Sequence, residues 1–142
     1  MKNTMRSLHA LFLAAILVFS LAACAVTEAP AGLWENAVYQ EDTVLGEGAK
    51  TVVVEVAAEE KTVTFTVHTD ETTVGAALLA HGLIAGDESE YGLYVKVVNG
   101  ITADYDVDQS YWGFYIDGEY AMTGVDSIEI TEGAVYRLVY TK

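Results

Sequence analysis

Val52, Val54 and Val56 alternate with Thr51, Val53 and Glu55, and Val63, Phe65 and Val67 alternate with Thr62, Thr64, Thr66 and His68. A period of two sends successive side chains to opposite faces of a strand, so these runs, joined through Ala58-Glu59-Glu60, predict a hairpin. Beyond it, Thr72 or Thr73 suits an N-cap, Val74 and Leu78 lie four apart, and Gly82 suits a left-handed stop, which predicts a short helix. Such a helix is too short to hold alone and must pack on the sheet. Residues 85–90 are polar and read as a loop. A third strand follows, with Tyr91, Leu93, Val95 and Val97 on one face. Asn99-Gly100 is a strong hairpin signal, and the returning strand would carry Ile101, Ala103, Tyr105 and Val107 opposite Thr102, Asp104, Asp106 and Asp108. Residues 111–116 place Trp112, Phe114 and Ile116 on one face and end at the Asp117-Gly118 turn. Ile128 and Ile130 suggest a brief strand, and Glu132-Gly133 turns into a last one over 134–141. Two strands, a helix, then further strands is an α+β order: one mixed sheet with one short helix packed across it.

The first residues obey no such period. Lys2 and Arg6 precede an apolar run, residues 10–21, broken only by Ser20. A basic start, about a dozen apolar residues and a small-residue exit make a secretory signal peptide over residues 1–23, and the run is short for a membrane span. The exit, Leu21-Ala22-Ala23-Cys24, resembles the lipobox of bacterial lipoproteins. There the cysteine thiol takes a diacylglycerol, cleavage falls just before it, and the new amine is acylated. Cys24 is the only cysteine, so its lipidation leaves no disulfide, and the fold rests on its core. The expected location is the extracytoplasmic face of the cell membrane, held by the lipid anchor. Residues 24–49, with the only proline, Pro30, and no sustained period, read as a tether. Trp34 and Tyr39 are unusual there; they either fold back onto the domain or belong to an added edge strand.

Charge narrows the partners. All 21 acids follow residue 23, against the bases Lys50, Lys61, Lys96, Arg137 and Lys142. Such a surface repels nucleic acid and keeps the domain soluble. Enzymatic machinery is not in evidence. No serine stands in a Gly-x-Ser-x-Gly frame, no glycine-rich phosphate loop follows a strand, and the thiol is spent. His81 falls in the last helical turn, where it suits the dipole, and His68 ends a strand on its polar face. We therefore expect a protein that is not an enzyme and carries no cofactor.

Two constellations remain. Asp104, Asp106 and Asp108 have the D-x-D-x-D start of a calcium loop, but Gln109 replaces its glycine and Tyr115 its closing glutamate. A strand with its acids toward water is the better reading, with calcium the weaker one. The second is aromatic: of nine tyrosines and two tryptophans, most fall in the second half. Consecutive rings in Tyr111-Trp112-Gly113-Phe114-Tyr115 must point to opposite faces. Tyrosine and tryptophan offer rigid area with a polar handle, so Tyr91, Tyr94, Tyr111, Trp112, Gly113 and Tyr115 are candidate ligand contacts.

The order Thr73-Val-Gly-Ala-Ala-Leu78, Tyr91-Gly92, Val98-Asn-Gly-Ile101, Tyr111-Trp-Gly-Phe-Tyr-Ile-Asp-Gly-Glu119, Gly124-Val125 and Gly133-x-x-Tyr136 resembles the DUF4430 family, the transcobalamin-like C-terminal domain, over residues 50–142. That family includes bacterial surface lipoproteins and the C-terminal domain of vertebrate cobalamin carriers. The resemblance implies a β-grasp-like fold and a corrinoid ligand, captured for handover to an importer. In the vertebrate carriers the ligand lies between this domain and a larger helical one. This sequence has no counterpart of the latter, so a transporter or second protein is expected to complete the site. The alternative is a surface domain that binds protein or glycan and no small molecule.

Overall fold

The computed structural model describes residues Gly32–Lys142, which form one compact unit. The expected signal peptide and Cys24 lie outside the described residues. A 3-10 turn, Leu33–Asn36, opens the unit. Then come β1 (Thr43–Leu45), β2 (Lys50–Ala58), β3 (Lys61–Thr69), helix α1 (Val74–Ala80), β4 (Ile84–Ser89), β5 (Gly92–Val98) and β6 (Ile101–Thr102). A single helical turn, Tyr105–Asp108, precedes β7 (Tyr111–Ile116), β8 (Glu119–Tyr120), a second 3-10 turn, Val125–Ser127, and β9 (Val135–Thr141).

The architecture is α+β. Six strands make a mixed sheet in the order β1-β3-β2-β9-β7-β8. β2 and β3 form the antiparallel hairpin, Val54 facing Phe65, and β9 returns parallel to β2, with Val54 opposite Tyr136. A hairpin, a helix across it and a final strand parallel to the first is the β-grasp arrangement. The remaining strands form a separate sheet, β4-β5-β6. One core fills the space between the layers. It is built from Val52, Val54, Val56, Val63, Phe65 and Val67 of the hairpin, Phe114, Tyr136 and Leu138 of the neighbouring strands, and Val74, Ala77 and Leu78 of α1. Leu83, Ile84, Leu93, Val98 and Ile101 close it from the second sheet and its entry.

Helix α1 starts and stops for local reasons. Thr73 Oγ1 accepts a hydrogen bond from Ala76 N–H at 3.2 Å, satisfying one of the free donors of the first turn. At the other end Gly82 adopts φ +65°, and Leu83 N–H reaches back to the Leu78 carbonyl at 3.0 Å, the bond pattern of a Schellman stop. Gly75 lets the helix approach the Val125–Ser127 turn, since a Cβ there would lie 2.8 Å from Asp126 Cα.

Several expectations need correction. The tether does not extend to residue 49: from Gly32 onward the chain belongs to the folded unit. Trp34 is buried and donates its Nε1–H to the Ala58 carbonyl at 2.9 Å, while β1 adds parallel to β3, Thr43 facing Phe65. Both alternatives for Trp34 and Tyr39 thus hold, because the exposed side of β3 and the apolar end of the hairpin need covering. Residues 85–90, expected as a loop, mostly form β4. They carry no alternation because they run along an edge where only Ile84 is buried, and backbone pairing with β5 holds them. The strand expected to run from Ile101 to Asp108 ends at Thr102. Asp104 Oδ1 accepts from Asp106 N–H at 3.0 Å, and this side-chain bond starts a helical turn in its place. Ile128 and Ile130 flank a single bridge, Thr73 to Glu129, and form no strand.

Candidate functional site

β5 and β7 belong to different sheets, and the chain after β8 passes beside both. Between them lies a cleft of about 380 Å3. Leu93, Tyr94 and Val95 come from β5, Tyr111, Trp112 and Phe114 from β7, and residues 120–125 form a further wall, with Tyr105 and Leu138 completing it. Among the described residues, no aspartate, glutamate, lysine, arginine or histidine lines the cleft, in a chain whose formal net charge is −14.

Local bonds fix each wall. Ala121 N–H donates to the Phe114 carbonyl at 2.9 Å, tying the loop to β7, and Tyr120 meets Tyr115 edge to face at 5.4 Å. Asp126 Oδ2 accepts from Leu93 N–H at 3.0 Å, which ties the Val125 turn to β5. Gly92 is needed there: at φ +101°, a Cβ would lie 2.7 Å from the Asp126 carboxylate. Tyr105 is presented by the helical turn, which Asp104 caps and Gln109 ends in the left-handed region at φ 64°. Asp108 anchors that turn, accepting from Ser110 N–H at 3.1 Å and from Lys142 Nζ at 3.0 Å. The Ser110 hydroxyl bond, with Lys142 beside it, holds the Asp108 carboxyl below its ordinary pKa. On the other sheet, Asp87 hydrogen-bonds Lys96 and raises its pKa.

Trp112 lies on the inner face of β7, only 8% exposed, edge to face with Tyr140 at 5.6 Å. Its Nε1–H is buried and meets no acceptor among the described residues. Tyr94, Tyr105, Tyr120 and Met122 are exposed, Met122 at 91%, so the rim around the buried indole is largely aromatic and in contact with water.

Of the candidate contacts, Tyr94, Tyr111 and Trp112 are brought together at the cleft. Gly113 and Tyr115 are on the other face of β7, where the Tyr115 ring covers Gly113, 3.1 Å from where a Cβ would be. Tyr91 stands 86% exposed in the turn between β4 and β5 and does not line the cleft. Sequence reasoning missed Tyr105, Tyr120 and Met122. Tyr105 was assigned to a core-facing strand position, and recognising Asp104-x-Asp106 as a cap would have released it to the surface. The calcium candidates are not assembled as a site. Asp104 caps the turn and Asp108 holds Ser110 and Lys142, and no group of three or more His, Cys, Asp or Glu able to hold a metal occurs among the described residues. Nor is any described helix long and apolar enough to cross a membrane.

The fold and the cleft define a small α+β domain of β-grasp order with an aromatic surface cleft. The chain belongs to the DUF4430 family, a domain of unknown function, whose model matches residues 71–141. Among solved structures it is similar to a candidate metal-binding protein from Ruminococcus gnavus ATCC 29149, with 28% identity and a TM-score of 0.62, covering 66% of this chain and 98% of that one. It is also similar in fold to haptocorrin in complex with Cbi, at 18% identity and a TM-score of 0.54 over 69% of this chain. The match spans 26% of haptocorrin. No curated protein matches the chain.

Proposed function

We propose that this protein is a non-catalytic, lipid-anchored binding module on the extracytoplasmic face of the cell membrane, and that its cleft contacts a corrinoid for capture or handover to an importer. The observation that carries the reading is the uncharged cleft between β5 and β7, with Trp112 buried in it and Tyr94, Tyr105, Tyr120 and Met122 around its mouth. Its volume, about 380 Å3, lies within the ordinary range for small-molecule sites. A corrinoid is larger, so the cleft would take one edge or face and leave the rest for a second protein. That division agrees with the likeness to about a quarter of haptocorrin, a protein whose structure holds Cbi (cobinamide). Metal binding, suggested for the Ruminococcus gnavus relative, would here be the metal carried within the corrinoid.

Titration of the protein with cobinamide and cobalamin, followed by tryptophan fluorescence and calorimetry, tests the reading. Quenching and heat at micromolar ligand are expected. Tyr105→Ala and Tyr120→Ala remove exposed rim rings without touching the core, and each should weaken binding about tenfold. Absence of heat and quenching at high micromolar corrinoid would remove the proposal. Recovery of a surface protein or glycan in a pull-down would then favour the alternative use of the same rim.

A further inference from the structure

Among the described residues the two sheets have four edges, and three of them are blunted by shortness: β1 has three residues, β6 and β8 two each. β4 has six, with β5 as its one strand neighbour. Every residue from Ala85 to Ser89 is exposed. The direction of its backbone groups follows from β5. Leu93 stands opposite Glu88 in the register, yet Leu93 N–H donates to Asp126 Oδ2 at 3.0 Å rather than to the Glu88 carbonyl. The two residues are therefore a non-hydrogen-bonded pair, and Glu88 turns its own N–H and C=O away from β5, to the open side. Nothing else among the described residues meets them. Unpaired edges recruit other strands, and proteins guard them with charge, bulges or shortness. Here the guard is selective. A bulge falls between Ala85 and Gly86, but the register with β5 is unbroken from Gly86 to Ser89. Asp87 is paired with Lys96 at 2.8 Å, while Glu88 and Glu90 enter no ion pair among the described residues. A second copy of the chain would set Glu88 against like charge, in a molecule of net charge −14. A strand bearing lysine or arginine would bring the opposite charge to the same place.

We propose that the open edge of β4 docks an extended, basic segment of a second protein, which joins the β4-β5-β6 sheet as a further strand. Backbone bonds to Glu88 supply the attachment, and the acids beside it select the charge of the partner. At about 4.8 Å per strand, the added segment would run roughly 10 Å from β5, whose Leu93, Tyr94 and Val95 form a wall of the cleft. The partner is thereby placed beside the cleft, where the reading above calls for a second protein, but the docking itself needs no ligand.

The test uses the full chain, 15N-labelled and held in detergent, with an alternating threonine–lysine octapeptide and its threonine–glutamate counterpart. The lysine peptide should bind at millimolar concentration, shift the Glu88 amide proton downfield and slow its exchange. Asp87 and Ser89, whose amides face β5, should gain no such protection. That alternation separates strand addition from a diffuse attraction between charges. Glu88→Gln keeps the N–H and drops the charge, and should weaken the peptide about twofold to fivefold. Glu88→Pro also removes the outward donor, a change an edge strand accepts, and should cost about fivefold more. If Glu88→Pro does not fold, the exchange pattern of the wild type decides. No binding, equal binding of the glutamate peptide, or uniform protection along residues 86–89 would overturn the proposal and leave acids that only guard the edge. Failed corrinoid titrations beside an intact alternation would remove the ligand alone, and the reverse result would remove the docking alone.

Discussion

One buried amide helps to hold the segment before β1, and its loss should be measurable. Asn99 is fully buried in the turn between β5 and β6. Its Nδ2 donates to the Tyr39 carbonyl at 2.8 Å, and its Oδ1 accepts from Tyr39 N–H at 2.9 Å. The side chain thus pairs with Tyr39 much as a neighbouring strand would. Tyr39 in turn places its ring edge to face on Phe65 at 5.6 Å. In Asn99→Ala both Tyr39 groups lose their partner while the turn's own backbone bonds remain. Each orphaned group costs about 1–3 kcal/mol when buried; because Tyr39 is half-buried, the lower part of that range applies to both. Alanine at φ 50° adds roughly 1 kcal/mol of left-handed strain. The expected loss is about 3–4 kcal/mol, or a Tm drop of roughly 10–20 °C for a domain of this size. Asn99→Gly tolerates the backbone, lacks the same two bonds, and should still lose about 2 kcal/mol. Urea unfolding gives the free energies, and amide exchange at Tyr39 N–H should accelerate in both variants. A loss below about 1 kcal/mol in Asn99→Ala, or unchanged exchange at Tyr39, would refute the role assigned to this amide.

Three further outcomes are expected. Gly75→Ala improves helix propensity by about 1 kcal/mol, but its Cβ would press on the Asp126 backbone at 2.8 Å. Overpacking of about 1–3 kcal/mol should win, so a melting curve showing net stabilisation would contradict the close packing of α1 on the Val125 turn. The Asp108 carboxyl is held below its ordinary pKa of 3.8, so its contribution is full above that value and is lost as pH falls through the folded value. Acid unfolding curves of wild type and Asp108→Asn should therefore differ at neutral pH and converge as pH falls through the lowered folded value, and a gap that widens on acidification would reverse the sign. Finally, Cys24→Ser should block labelling by radioactive palmitate and release the protein from the membrane fraction, whereas unchanged labelling would place the acyl chain elsewhere.

Period and punctuation alone determined the β2–β3 hairpin, helix α1 with its Thr73 cap and Gly82 stop, the Asn99-Gly100 and Asp117-Gly118 turns, and β7 and β9. In the strands and the helix the apolar positions recur at the element's own period, and the sequence records that directly, while the turns are marked by their glycines. Tertiary structure alone decided the rest. β4 is held by backbone pairing along an edge, so its side chains carry no imprint of it. Asp104 chooses a helical turn over a strand through one local bond, and the strap from Gly32 is recruited because β3 and the hairpin end offer uncovered surface. The candidate site divides the same way. Trp112 was legible because it alternates with Phe114 and Ile116 on the face of β7 that meets the core. Tyr120 and Met122 were not, because a cleft forms where two sheets and a loop converge, and no single stretch of chain encodes a meeting of three.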